Sequence, residues 1–415
     1  MKKYENYKDS GLEWLGMVPE HWEILPFKRG VSVNNGRDYK HVKSEDGYPV
    51  IGSGGQFAYA SDYLYDGEVI LLGRKGTIDK PRYFSGKFWT VDTMFYAIPN
   101  QKCIAKYMYY QALTIPFSFY STDTALPSMT QSDLGNHLMC FPPISEQRII
   151  ASYLDQKVGQ IDALISEKEK MVEDLKAYRS SLITETVTKG LDKEVEMKDS
   201  GVEWIGRIPS TWKSSKIGRI YSDIGSGTTP DSNNNLYYKE DGFNWLQTGD
   251  LTDGYITETS RHISQLAIDE KHMRFYPVDS IVVAMYGATI GKVGFLKIET
   301  STNQACCVLP PSENMDAMYM FYMMQASKEI LISNSIGGGQ PNISQSIIKE
   351  HIIPVPPLRI QKEIALYLQN KIGKIVSILS EQEHQLSDLK SYKSSLITEA
   401  VTGKIDLRDW QTKKS

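Results

Sequence analysis

The residues of this chain whose types could do chemistry sit in polar stretches punctuated by glycine. In the first half, Arg37, Tyr39 and Lys40 follow Asn34, Asn35 and Gly36; Ser53 and Gln56 flank Gly54 and Gly55; Arg74, Lys75 and Thr77 surround Gly76, with Arg82 a short step on. In the second half, Thr228, Thr229, Ser232, Asn233 and Asn234 lie in GSGTTPDSNNN, and Gln247, Thr248 and Asp250 in QTGD. Tyr286, Thr289 and Lys292 belong to YGATIGK, and Gln340 closes GGGQ. Arg and Lys reach guanine acceptors, Asn and Gln bind adenine through two bonds, Asp accepts from cytosine, and a Thr methyl meets that of thymine. Glycine lets the backbone approach phosphate, which Ser, Thr and main-chain N–H groups contact without base preference. Each position is thus a candidate for nucleic-acid contact, with plain turn chemistry as its alternative.

Other chemistries find no residues. The string GATIGKV has three residues between its glycines where a phosphate-binding loop has four, and Val293 where a Ser or Thr should reach the metal. A DNA amino-methyltransferase needs Asn or Asp before Pro-Pro and an aromatic after it. Here the Pro-Pro pairs follow Phe141, Leu309 and Val355 and precede Ile144, Ser312 and Leu358. The seven histidines are scattered without metal-ligand spacing, and His137 and His351 read as packing or hydrogen-bonding residues. Cys103, Cys140, Cys306 and Cys307 form no CxxC, so reduced thiols are expected, without a disulfide framework or zinc. We expect a binding protein with no catalytic residue, metal or cofactor of its own.

The 415 residues exceed one ordinary domain, and 41% hydrophobic with 23% charged residues is a globular composition. No run reaches the length of a membrane span, and MKKYENYKDS lacks the apolar stretch of a secretory signal, so a cytoplasmic chain is expected. A net charge of −4 and pI near 6.0 give no global basic signature.

Two internal repeats organise the elements that must position these loops. KDSGLEWLGMVP (residues 8–19) returns as KDSGVEWIGRIP (198–209), each with a second tryptophan, Trp22 or Trp212, just beyond. These tryptophans, with Trp14 and Trp204, read as core anchors before stacking platforms, while for Trp89 and Trp245 both roles stay open. Residues 142–188 align without a gap to 356–402, with about half of the positions identical. In the first of these segments Leu154, Val158, Ile161, Ile165, Val172, Leu175 and Leu182 recur in steps that form a narrow seam, broken at Lys168. In the second, Leu368, Ile372, Ile375, Leu379, Leu386, Leu389 and Leu396 do the same, broken at the equivalent Gln382. Each segment starts after Pro-Pro and predicts a rod of about 60 to 68 Å. Each seam is suited to one partner helix, and the polar break is a device for register, with a tolerated surface-leaning residue as its alternative. Residues 26–140 and 216–354 read as short strands and tight turns, each with one or two helices near 104–113 and 315–327.

Taken together, the repeated KDSG(L/V)EW(L/I)G, the strings YPVIGSGG, YLYDGEVILLGRKGTI and FWTVDTMFYAI in the first half, and GSGTTPD, WLQTGDL, YGATIGKVGFLK and TNQACCVL in the second resemble the DNA-specificity subunits of type I restriction–modification systems. LPSMTQSDL and GGGQPNISQS, leading to two PPxxxQ helices, complete a match that runs end to end. The resemblance implies an α+β fold: two β-rich target-recognition domains joined by two long helices pairing as an antiparallel coiled coil, with a pseudo-two-fold internal repeat. Residues 1–141 would be the first recognition domain, 142–188 the first spacer helix, 189–355 a linker, opening motif and second recognition domain, 356–404 the second helix, and 405–415 a tail. It implies that double-stranded DNA with a bipartite asymmetric site is read one half per domain. Two methyltransferase subunits would bring S-adenosylmethionine, and optionally two restriction motor subunits would bring ATP and magnesium. A standalone methyltransferase or nuclease and a coiled-coil scaffold for other proteins are the competing classes.

The first variable region carries about +2 and the second about −5 by residue count. Affinity would then depend on local cations such as Arg37, Lys40, Arg74, Lys75, Arg82, Lys292 and Lys297, and on partners, with weak DNA binding by the chain alone. Half-sites one turn apart are about 34 to 36 Å from centre to centre, a separation that rods of this length can set. Inserting about four residues, one helical turn, near Glu169 should change the preferred spacer between half-sites and leave both half-site sequences as they were. Changed half-sites with an unchanged spacer, read by methylation mapping, would refute the ruler.

Overall fold

The computed structural model describes residues 2–120, 127–335 and 341–411. The chain divides into two compact units, Met1–Glu169 with His384–Ser415, and Lys170–Glu383. The division falls inside two long helices, Ile144–Lys189 and Leu358–Val401, so each unit owns one β-rich region and a part of each rod. Among the described residues no helix is long and apolar enough to cross a membrane.

In unit 1 the opening motif is a hairpin of Tyr7–Asp9 with Met17–Pro19, and Glu23–Pro26 pairs with Leu138–Phe141 just before the first rod. A seven-stranded sheet follows in the order Val31–Asn35, Met94–Pro99, Tyr65–Gly73, Arg82–Thr90, Tyr48–Gly52, Gly55–Ala60, Lys43–Ser44. The buried runs Val69–Leu72 and Phe88–Thr90 are aliphatic, β-branched and aromatic, as strands inside a covered sheet should be. Helix Ala105–Ala112 packs beneath this sheet. Its Tyr107 and Met108 share one apolar cluster with Ile70, Leu72, Ile150, Leu154, Val158 and Ile161 of the first rod and Leu396, Ile397 and Ala400 of the second. The seam was expected to serve helix pairing alone; toward the rod ends it merges with a domain core, because the sheet's helix leaves an apolar face that only the rods can cover.

Within unit 1 the rods run antiparallel. Asp162 pairs with Lys393 at 2.6 Å and Glu169 with Lys390 at 2.9 Å, and the Lys168 ammonium donates to Gln385 Oε1 at 2.6 Å. Exposed pairs of this kind align more than they stabilise. The polar break is thus used across the pair, with a glutamine three residues beyond the equivalent Gln382.

Unit 2 repeats the plan: a hairpin of Met197–Asp199 with Arg207–Pro209, then Lys213–Lys216 against Ile352–Val355. A five-stranded sheet (Gly225–Ser226, Cys306–Leu309, Ile281–Ala284, Val293–Leu296, Gly254–Ile256) stands beside a four-stranded one (His262–Ile263, Tyr238–Leu246, Thr300–Thr302, Phe275–Tyr276). On its portions of the rods Val172, Leu368, Ile372, Ile375 and Leu379 are buried. At the end of the first rod Ile183 and Val187 are buried while Leu182 is only half-buried. A helix of 3.6 residues per turn drifts off a strict seven-residue repeat.

The PPxxxQ motif is the joint between domain and rod. Buried Gln147 donates to Pro142 O (2.9 Å) and Lys102 O (3.1 Å) and accepts from Ile104 N–H (3.0 Å). Gln361 donates to Pro356 O and accepts from Asp316 N–H, both at 2.8 Å. Just upstream, His137 stacks on Trp14 with centroids 5.1 Å apart, and His351 on Trp204 at 5.2 Å. Trp22 and Trp212 are core residues, whereas Trp14 is 39% exposed and owes its place to the histidine. Burial pushes both imidazoles down to about 4, against an unfolded value of about 6.5. Between these values the unfolded chain holds more protons than the folded one, so stability is full above the unfolded value and is lost as pH falls toward the folded one. Urea titrations from pH 7.5 to pH 4.5 should show this decline, and the H137Q/H351Q double variant should show a shallower one. Equal slopes would mean that these histidines are not the cause.

Candidate nucleic-acid interface

In unit 1 the polar loops are gathered by the connection Thr90, Val91, Asp92, Thr93 between strands Arg82–Thr90 and Met94–Pro99. Arg37 N–H donates to Thr90 O (2.9 Å), and Arg74 N–H and Lys75 N–H to Thr93 O (2.8 and 3.3 Å). The Arg74 guanidinium reaches Asp92 O (3.3 Å) and lies over the Phe95 ring at 5.9 Å. From below, the indole of buried Trp89 donates to Arg37 O (2.9 Å). Gly36 permits this approach, since a Cβ there would lie 2.0 Å from Val91 O. The turn carrying Ser53 closes on the same connection, a Cβ on Gly52 coming within 3.8 Å of the Val91 side chain.

The structure therefore brings Arg37, Ser53, Arg74 and Lys75 together, with Arg37 and Lys75 exposed. Lys40 is exposed beyond Tyr39, whose ring meets exposed Phe57 edge-on at 5.3 Å. Thr77 folds back, its carbonyl 2.2 Å from where a Cβ on Gly73 would stand. Gln56 and Arg82 lie elsewhere, in a cleft of about 540 Å³ against the first rod, which Lys106, Tyr110 and Asp155 also line. Asp155 there pairs with Lys106 (3.0 Å) and accepts from Tyr110 (2.8 Å).

Unit 2 builds the same device from Thr302, Asn303, Gln304 and Ala305. Thr228 N–H donates to Thr302 O (2.9 Å), Met285 N–H to Ala305 O (2.8 Å), and Asn303 N–H to Leu246 O (3.0 Å). The Trp245 indole donates to Thr228 O (3.1 Å), and a Cβ on Gly227 would lie 1.7 Å from Thr302 O. Thr228, Gln247 and Tyr286 thus meet at one connection, with Thr228, Thr229 and Tyr286 exposed. Asp250 faces inward, its carboxylate accepting from Gln247 N–H (2.8 Å) and Ser260 N–H (3.3 Å) across the turn that holds Thr248. Ser232 and Asn233 are exposed, while Asn234 caps the next turn by accepting from Leu236 N–H at 3.1 Å. Lys292 is half-buried in a turn closed by its own N–H on Thr289 O (3.0 Å). Gln340, with the rest of GGGQ, lies outside the described residues.

The sequence reading missed the two four-residue connections that hold the loops, and it left Trp89 and Trp245 undecided between core anchor and stacking platform, where the structure buries both. A partial signal existed: TVDTM stands between apolar FW and FYAI, and TNQAC leads directly into apolar CVL. The tryptophans hid because Trp89 and Trp245 come from opposite members of a parallel strand pair, Val50 facing Trp89 in one unit and Trp245 facing Ser301 in the other. All four cysteines are buried, and burial raises every thiol, Cys103 to about 11 and Cys140 and Cys307 to about 12. They are protonated packing groups at neutral pH.

Residues 22–174 and 209–387 match the family described as the type I restriction modification DNA specificity domain. The type I restriction enzyme EcoBI specificity subunit of Escherichia coli is 21% identical across 96% of this chain and 89% of its own. The MjaIX specificity subunit of Methanocaldococcus jannaschii is 29% identical across 42% of this chain and 40% of its own. A chain from a solved structure concerned with complex assembly and conformational transition of the type I R-M system has the same fold. It has a TM-score of 0.70 at 15% identity, covering 94% of this chain and 99% of that one.

Gly36→Ala and Gly227→Ala should each displace one loop and weaken DNA binding by about 1–3 kcal/mol, measured by fluorescence anisotropy, with helical circular dichroism unchanged. Gly54→Ala, where an added Cβ meets nothing within 4 Å, should change neither. Equal losses in all three variants would show that the loops owe nothing to these connections.

Proposed function

The chain belongs to the type I restriction modification DNA specificity domain family, and on that premise we propose that it is the DNA-reading subunit of a methylating and restricting complex. Each unit reads one half of a bipartite, asymmetric target. The observation that carries this reading is the connection built twice, with the same backbone bonds and a buried indole, yet presenting different side chains: Arg37, Arg74 and Lys75 in one unit, Thr228, Gln247 and Tyr286 in the other. Cations on one surface and neutral donors with an aromatic on the other suit different bases, which makes the target asymmetric.

The chain itself is non-catalytic in this reading. Two methyltransferase subunits supply S-adenosylmethionine chemistry, and two motor nuclease subunits, where present, supply ATP and magnesium. Docking of paired partners is supported by apolar side chains left exposed at repeat-equivalent positions of the rods, Leu164 with Ile378 and Tyr178 with Tyr392. Duplicated patches fit two copies of one partner. The mild acidity of unit 2 fits a subunit that reads the site while its partners enclose the duplex.

The test is to express the chain with a methyltransferase subunit from a type I system and map methylated bases genome-wide. A split motif with two unlike halves is expected. Replacing residues 26–140 by the corresponding region of a relative should exchange one half and keep the other. A continuous motif, or loss of both halves in the exchange, would refute the reading.

A further inference from the structure

The C-terminal end of each rod leaves carbonyls without helical partners, and in both units a buried tyrosine meets them. In unit 1, Tyr107 OH lies 3.3 Å from Val401 O, at the end of the second rod, and 3.0 Å from Cys140 O, on the last strand before the first rod. In unit 2, Tyr319 OH lies 2.9 Å from Val187 O, at the end of the first rod, and 3.2 Å from Pro354 O, before the second. Val187 and Cys140 become Val401 and Pro354 on adding the repeat offset of 214, the distance from Pro142 to Pro356. The tyrosines sit on equivalent helices, Ala105–Ala112 and Ala317–Ala326, and neither has any exposed surface. Each therefore joins its recognition domain to the strand leading into one rod and to the end of the other.

The two clasps differ in strength. Gln111, one turn beyond Tyr107, brings a two-proton Nε2 within hydrogen-bond distance of Val401 O (2.9 Å), Cys140 O (3.1 Å) and Tyr107 Oη (2.7 Å). Its counterpart beyond Tyr319 is Met323, fully buried and without a donor. A phenol has one proton to share between two carbonyls, so unit 1 holds its pair with a second donor, whereas among the described residues of unit 2 no second side chain donates to Val187 O or Pro354 O.

We infer that Tyr107 with Gln111, and Tyr319 alone, are positioning residues that set the orientation of each recognition domain on the rods and hence the spacer length that the complex accepts. This rests on the bipartite reading proposed above. Loss of Tyr319 OH strands two buried carbonyls, whereas loss of Tyr107 OH leaves both with Gln111. The second domain is thus the more easily tilted.

The experiment compares methylation rates, in the assembled methyltransferase complex, on the cognate target and on targets with one base pair more or fewer between the half-sites. If the unaltered complex shows no split target, the proposed function has failed, and the clasp is not what is being judged. Otherwise Tyr319→Phe should lower the ratio of cognate to altered-spacer rates by about tenfold. Tyr107→Phe should leave it within about twofold, and Y107F/Q111L should match Tyr319→Phe. Adding Met323→Gln to Tyr319→Phe, which builds the missing donor, should restore the ratio. A merely structural tyrosine would lower all rates in proportion and leave the ratio unchanged, which overturns the inference, as would equal effects of the two single substitutions. Should Tyr319→Phe fail to assemble, Met323→Gln alone decides: spacer choice narrows if the clasp acts as described, and no change overturns it.

Discussion

A narrow apolar seam on a long helix must be buried against another apolar face, here the second rod and the underside of a recognition domain, and the rest of this molecule follows from that constraint. The rods begin and end far apart in sequence, yet in unit 1 Leu154, Val158 and Ile161 share one core with Leu396, Ile397 and Ala400. Pairing them antiparallel brings the end of one repeat to the start of the other. That is why each compact unit contains parts of both rods and why its boundaries fall within helices, not between domains.

On this base the two β-rich regions are held by repeated polar contacts. Gln147 and Gln361 satisfy backbone groups on both sides of the joint. Tyr107 and Tyr319 meet the helix-end carbonyls. Buried polar groups are costly when unpaired, so each contact holds a joint in one geometry. Above them the two sets of loops differ in sequence, because a connection that binds them through main-chain groups constrains side chains only where the backbones come closest, at Gly36 and Gly227. The architecture therefore separates what must stay constant from what must differ between targets.

Much of this was legible in the sequence. The repeat, the rods and their polar breaks are periodic features of side chains, and each appears where the spacing put it. PPxxxQ was visible as a motif, but its physical reason was not, because Gln147 works on the carbonyl of Lys102 and the N–H of Ile104. Of the candidate DNA contacts, Arg37, Arg74 and Lys75 converge, whereas Arg82 is carried into a cleft beside Asp155 by the register of its strand. Asp250 and Asn234, alike in type to base-reading residues, spend their oxygens on their own turns.

The sequence by itself determined that there are two halves, two rods and two sets of polar loops, because these are written in the order and spacing of side chains. Only the tertiary structure decided which loops share a surface and what holds them there. The deciding bonds run from Thr90, Thr93, Thr302 and Ala305 carbonyls to backbone N–H groups many residues away. Main-chain donors and acceptors are the same in every residue, so residue types could mark where a connection falls but not which N–H groups it would bind.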